Sequence, residues 1–222
     1  MVDARSIVLF GVKSPLVVEY EETLLRLGLS LAAGVMVEGP SRLMARDKVV
    51  ALDSLDPVLK STPAIPCAFA TSNRRVLLEQ LEAAGFALHP GLVDSNAVVA
   101  ASCRLGAGAF VNAGAVIGGA TRIGRCAIVN RNASVGHHCI LSDFVSIGPA
   151  ATLASNARVG QMVTIGAGAT VLPDVKIGDG AVVAGGSMVR KDVEAGQVVA
   201  GNPAKPLTLA GKDTKVWSNA QE

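Results

Sequence analysis

Residues 123 to 164 read IGRCAI VNRNAS VGHHCI LSDFVS IGPAAT LASNAR VGQMVT, and cut into sixes the stretch shows its own rule. Each six opens on Ile, Val or Leu, and its fifth residue is Ala, Cys or Val. The register runs on in both directions. Every sixth residue from Val93 to Val189 is aliphatic, seventeen in succession, and the residue four places later is Ala, Cys, Val, Ser or Thr. A period of six matches neither an amphipathic helix nor an alternating strand. It is the period of a chain that turns one corner per hexad and stacks on itself. The aliphatic residue fills the interior and the small one sits where the corner leaves little room. Glycine follows the aliphatic position at residues 106, 118, 124, 136, 148, 160, 166 and 178, where it permits positive φ or close backbone approach.

Around this register the 222-residue chain divides into three parts. Residues 1–88 are expected to form a small α/β domain, 89–206 the repeat, and 207–222 a polar tail with Trp217 as its aromatic anchor. Aromatic content of 3% suits a narrow aliphatic interior. In the first segment, Ser6 to Phe10 reads as a strand ending at Gly11, Pro15 to Leu27 as a helix and Leu31 to Val37 as a second strand. Ala64 to Ala70 reads as a third strand, followed by a helix from Asn73 to Ala84 capped by Ser72 and stopped by Gly85. That alternation predicts a parallel sheet with ligand chemistry at its strand ends. Stacked coils need caps. The N-terminal domain is expected to close one end, and Gly196 to Leu207, where two prolines break the register, the other.

Formal net charge is +2, which lacks the basic stripe of a nucleic-acid binder. Residues 1 to 92 carry nine Lys and Arg against ten Asp and Glu, and residues 93 to 189 six against four. No apolar run approaches the roughly 18 residues that span a bilayer, and no signal-peptide pattern follows Met1 to Arg5. The reading is a cytoplasmic protein without membrane contact. Cys103 and Cys139 share the small position two coils apart if three hexads make one turn, about 10 Å at strand spacing and beyond disulfide reach, so both read as buried free thiols. Cys67 and Cys126 show no metal spacing.

Chemistry concentrates at His137 and His138. Val135 points inward and Cys139 is the small residue, so the two imidazoles between them face outward. There they either meet a ligand lying along the coil or stand as a solvated pair. No metal is expected, because residues one coil away (Gly119, Ala120, Ser155, Asn156) offer no strong ligand. Cys139 points into the interior, which argues against a nucleophile. His89, before Pro90, reads as a junction residue in extended backbone.

The runs VGHHCILSDFV (135–145), IGAGATVLP (165–173), AGGS (184–187) and VAGNPAK (199–205) resemble the hexapeptide-repeat acyltransferases. More narrowly, they are similar to the sialic-acid O-acetyltransferase and bacillosamine-type amino-sugar N-acetyltransferase family, over almost the whole chain. The resemblance implies a left-handed parallel β-helix preceded by a small Rossmann-like α/β domain. It implies a homotrimer with acetyl-CoA between subunits, and a sugar or nucleotide-sugar acceptor. It makes His137 the general base, with His138 as a base-tuning neighbour, and gives cofactor contacts at Ser146, Ser155, Ala167, Gly185 and Lys205. Arg190 and Lys191 are further candidates for the CoA phosphates. Acceptor-binding positions fall on Gly11, Lys13, Ser14, Glu38, Ser72 and Asn73.

The chain departs from the family pattern at two places. The acidic residue that follows the base is His138 here, which brings no negative charge, so His137 is expected either to be less basic or to be oriented by a backbone carbonyl instead. The Gly-rich turn after the first strand is replaced by Gly11, Val12, Lys13, Ser14 and Pro15, leaving residues 1–88 either a sugar-nucleotide site or a repurposed cap. Competing functions are a non-catalytic scaffold or regulatory protein, and an acyltransferase with a non-sugar acceptor. A hexapeptide-type carbonic anhydrase needs three convergent histidines, which His89, His137 and His138 do not supply.

Overall fold

The computed structural model describes residues 5–207; the tail beyond, with Trp217, lies outside the described residues. Four short parallel strands come first in the chain, β1 (Ser6–Phe10), β2 (Ser30–Met36), β3 (Val49–Ala51) and β4 (Ala64–Pro66). They order as β3-β2-β1-β4. Helix α1 (Val17–Leu27) joins β1 to β2, and α2 (Thr71–Ala83) follows β4. The sheet therefore reverses its strand order beside β1, and open parallel sheets bind ligands beyond the strand ends at that point. Two expectations shift by a few residues. The third expected strand stops at Pro66, and α2 starts at Thr71 with no side-chain cap, so Ser72 lies inside its first turn.

From Leu92 onward every hexad contributes one two-residue strand, and each pairs in parallel with the strand 18 residues on, as Val93 with Val111 and Val135 with Leu153. Three hexads thus make one coil. The chain visits three parallel sheets in turn, called faces I, II and III below. Face I begins with Leu92–Val93, face II with Val98–Val99 and face III with Arg104–Leu105. The hexad aliphatics from Val111 to Val189 and most of the small residues form one continuous buried core. Cys139 belongs to that core, whereas Cys103, in the first coil, is only half-buried. All four cysteines are free.

Close approach, not positive φ, explains the glycines after the aliphatic position. A methyl group on Gly136 would come within 2.7 Å of the Ser155 amide nitrogen, and one on Gly118 within 2.5 Å of that of His137. Left-handed backbone falls two residues later, at Ala120, Asn132, His138, Ala150 and Asn156 among others.

The register also outlasts its expected end. Val198–Ala200 still adds a rung to face I, pairing with Val182–Val183 at a spacing shortened by two residues. Only after Gly201 does the chain turn back, so that Lys205–Pro206 runs antiparallel to that rung.

The N-terminal unit is not an end cap, as expected, but packs on the flank of face I. The outward residues Leu92, Phe110 and Ile128 join one apolar cluster with Ile7, Leu9, Tyr20 and Leu24, and Phe110 stacks on Tyr20 at 4.0 Å. Polar groups pin both helices across this seam. From α1, Thr23 donates to Asp94 at 2.6 Å and Arg26 pairs with it at 2.8 Å. Burial pushes the Asp94 carboxyl up, but the bonds from Arg26, Thr23 and the Asn96 amide outweigh it and hold the group below its ordinary value.

From α2, the fully buried guanidinium of Arg74 donates to the carbonyls of Ala68, Phe69, Cys126, Phe144 and Val145 and to the Ser146 hydroxyl. Burial lowers its pKa to about 10, which still leaves it charged at neutral pH. Its partners are neutral dipoles with no carboxylate among them. Replacement by methionine orphans several buried carbonyls at once, and a loss of at least about 3 kcal/mol is expected from urea unfolding. Lysine, lacking the planar fork, will not restore it.

Candidate functional site

His137 and His138 stand on the corner between faces II and III, and both side chains are exposed. Backbone bonds to the flanking coils fix that corner. The His138 amide donates to the Gly119 carbonyl at 2.9 Å, and the His137 carbonyl accepts from the Asn156 amide at 3.0 Å. His138 has φ of 58°, the conformation that the corner requires. The pair is not two independent surface histidines. Nδ1 of His137 lies 2.9 Å from Nδ1 of His138, with the rings edge to face.

A contact between two Nδ1 atoms needs one proton, so one ring donates and the other accepts. A donor ring of this kind keeps a bare Nε2, which is the lone pair a general base uses. The expectation that a carbonyl orients His137 is therefore corrected: its neighbour's ring does so. Asp143 cannot substitute, since its carboxylate already accepts the Arg125 amide at the next corner. Cys139 is buried, its thiol bonds the Ala154 carbonyl at 3.2 Å, and burial pushes its pKa up.

The predicted cofactor residues separate into three places. Ser155 lies one coil beyond His137 on the same corner, half-buried. Ala167 and Gly185 are exposed on the corner between faces I and II, stacked so that the Gly186 amide donates to the Ala167 carbonyl. Face II thus has the histidine column on one edge and the Ala167 column on the other. Lys205 is exposed in the terminal strand, and Arg190 and Lys191 are exposed nearby in sequence. Ser146 does not join any of these. It is fully buried in the seam, donating to the Phe69 carbonyl at 2.6 Å and accepting from Arg74 at 2.9 Å. Its hydroxyl has no open side toward a groove.

A second concavity, of about 480 Å³, opens at the C-terminal ends of β1, β2 and β4. Gly11, Lys13, Ser14, Glu38 and Asn73 all line it, and Cys67, Ala68 and Leu77 form part of the remaining wall. Ser72 does not line it; it points to solvent from the first turn of α2. Gly11 has φ of 82°, and a Cβ there would strike the Leu77 side chain, so only glycine keeps this floor open. The turn offers few backbone donors. The amides of Gly11 and Val12 go to the Val35 carbonyl, and those of Leu16 and Val17 to Ser14. Lys13 is left as the positive charge at the mouth.

The bacterial hexapeptide transferase family (six repeats) matches residues 156–191. Among solved structures, the acetyltransferase domain of PglB from Neisseria gonorrhoeae, in complex with acetyl coenzyme A, is 30% identical with a TM-score of 0.81, covering 92% of this chain and 100% of its own. The chain belongs to the hexapeptide-repeat acyltransferases. A histidine-to-asparagine mutant of perosamine N-acetyltransferase from Caulobacter crescentus, in complex with CoA and GDP-perosamine, is likewise 30% identical at a TM-score of 0.81, covering 91% of this chain and 96% of its own. WeeI from Acinetobacter baumannii shares the fold at 24% identity and a TM-score of 0.66, over 90% and 99%. No curated protein matches the chain by sequence comparison.

Two features of this acyltransferase escaped the hexad reading. Arg74 is indistinguishable from its exposed neighbour Arg75 in sequence, and nothing in the local pattern marks it. The seam did have a signal: in the first three coils the residue before the aliphatic is large and apolar at 18-residue spacing, at Leu92, Phe110 and Ile128. Within the described residues no group of three His, Cys, Asp or Glu side chains could hold a metal. The Nδ1 contact makes a direct prediction. Long-range nitrogen–proton spectra of the neutral protein will show one Nδ1–H and one Nε2–H tautomer for His137 and His138; two Nε2–H rings would contradict it.

Proposed function

We propose that the chain transfers an acetyl group from acetyl-CoA to an amino or hydroxyl group of a sugar, most naturally a nucleotide-linked amino sugar, with His137 as general base. The paired Nδ1 atoms of His137 and His138 carry this reading, because they supply an oriented Nε2 lone pair on an exposed corner. Nε2 of His137 takes the proton of the acceptor nitrogen or oxygen as that atom attacks the thioester carbonyl carbon. The carbon–sulfur bond then breaks, and the proton is returned to the leaving thiolate. His138, accepting at Nδ1, stabilises the imidazolium through a charge-assisted hydrogen bond. The Ser155 amide is the donor assigned to the thioester oxygen. A direct transfer is expected, since the only nearby thiol, Cys139, is buried.

In this reading the coil is a left-handed parallel β-helix spanning 89–206, residues 1–88 form a Rossmann-like acceptor domain, and three copies assemble. Support for assembly comes from face II. Its outward file, Val98, Val116, Ser134, Thr152, Thr170 and Met188, holds no charge, and Val98 and Val116 are 64% and 46% exposed. Packing copies through that face brings the His137 edge of one beside the Ala167 and Gly185 edge of the next, the groove for acetyl-CoA. The acceptor domain follows from the cavity. An acidic residue after the second strand of such a sheet bonds ribose hydroxyls, which is Glu38, and the turn after the first strand meets the diphosphate. With the amides of Gly11, Val12, Leu16 and Val17 occupied, the turn relies mainly on the Lys13 side chain. The two named neighbours, one with acetyl coenzyme A and one with CoA and GDP-perosamine, favour the same substrates.

Release of CoA thiol with a panel of nucleotide amino sugars tests the assignment. His137→Ala is expected to lower kcat by about 10² or more, as for loss of a general base. His138→Asp, which suits the left-handed backbone and restores a negative partner, will retain more activity than His138→Ala. Lys13→Met will raise KM for the nucleotide sugar and leave that for acetyl-CoA unchanged. Equal activity of His137→Ala and wild type on an accepted substrate would remove the base from this site.

A further inference from the structure

The three faces of the coil meet different surroundings. Face I is covered by the N-terminal unit over its first four rungs, and face II is uncharged. Face III carries Arg104, Arg122, Ile140, Arg158 and Lys176 as its outward file, one per rung. All four cations are exposed, and among the described residues none takes part in an ion pair. The other two cations between Val93 and Val189, Arg125 and Arg131, are paired with Glu82 and Glu19. Every cation between Val93 and Val189 that takes part in no ion pair therefore stands in one row.

Neighbouring rungs are about 4.8 Å apart, so Arg104 with Arg122, and Arg158 with Lys176, are like charges directly opposite one another, a destabilising arrangement. The one acid continuing the row, Asp192, is engaged by the Lys176 backbone amide at 2.8 Å. The row also borders the histidine corner. Arg122, Ile140, Arg158 and Lys176 each come three residues after the corner column Gly119, His137, Ser155 and Pro173. Three residues span at most about 11 Å, close to one Debye length at 0.1 M salt.

We propose that face III is an electrostatic guide that draws the phosphates of the CoA thioester toward the corner carrying His137 and Ser155. This rests on the assignment of that corner to acyl transfer made above. The row holds no aromatic side chain on which bases could stack, which disfavours single-stranded nucleic acid as its partner. A row of unpaired cations beside a groove raises local anion concentration and association rate without adding contacts to the reacting atoms.

Stopped-flow association of acetyl-CoA with the full chain, from low to high salt, tests the guide. With Arg104→Gln, Arg122→Gln, Arg158→Gln and Lys176→Gln combined, association at low salt is expected to fall about tenfold, within the range steering supplies. The rates should converge with wild type at high salt while dissociation stays unchanged. Replacing the three arginines by lysine keeps the charge and should keep the rate; if that variant loses it equally, packing and not charge is responsible and the proposal fails. Equal rates and equal salt slopes for the glutamine variant and wild type also overturn it. So does charge-dependent retention on anionic phospholipid vesicles with no effect on acetyl-CoA association, which would give the row to a membrane. A steered association alongside an unaffected His137→Ala would leave the guide intact and sink the acyl-transfer assignment instead.

Discussion

The stacking of one coil on the next at 18-residue spacing is the constraint from which the rest of the molecule follows. No hexad has a core of its own; each aliphatic side chain is buried only because the rungs above and below are in the same register. At the corners the backbones approach so closely that a methyl on Gly118 or Gly136 would collide with the amide of the residue one coil away. That closeness holds His137 and Ser155 in a fixed column, and it places the His138 backbone in the left-handed turn that brings the two imidazoles together. A rigid solenoid is well suited to general-base chemistry, which depends on geometry held before substrate arrives.

Once the coil is fixed, its function is divided by face. A triangular stack has three sides and the sequence treats them differently. One is apolar outside as well as inside and receives the N-terminal unit, one is uncharged, and one is basic. The seam on the first side joins the two halves of the proposed reaction. Arg74 ties the loop before α2, whose Ala68 lines the cavity proposed for the acceptor, to the corner carbonyls of Cys126, Phe144 and Val145 on the coil. A buried cation solvated only by carbonyl dipoles is costly to place and costly to lose. Such a group fixes how the cavity and the repeat sit on each other, and loose packing would not.

The site shows how a family pattern is carried by different chemistry. Where an acidic residue would hold the base, a second neutral ring can set the tautomer through a single shared proton, giving orientation without full charge stabilisation. Where a glycine-rich turn would offer amides, Gly11 and Val12 spend theirs on Val35, and a lysine side chain takes the exposed place. Ser146 is the opposite case. The family resemblance implied a cofactor contact for it, yet the loop before α2 and Arg74 bury its hydroxyl.

The sequence by itself determined the repeat, its inward and outward residues, the outward turn of His137 and His138, and the inertness of Cys139, because every hexad poses the same local packing problem and answers it within six residues. Three of the four strands and both helices of the first segment were legible too, to within a few residues; the edge strand Val49–Ala51 was not. Tertiary structure decided what the 18-residue coil, already assumed in reading the sequence, does with its outward side chains. Residues 18 apart become neighbours, so Leu92, Phe110 and Ile128 form a docking strip, and Arg104, Arg122, Arg158 and Lys176 form a charged row within a chain of net charge only +2. It also decided the side-on seat of the N-terminal unit, the burial of Ser146 under Arg74 and the ring that pairs with His137. Each of these is a contact between segments far apart in the chain, whose partners no local pattern names.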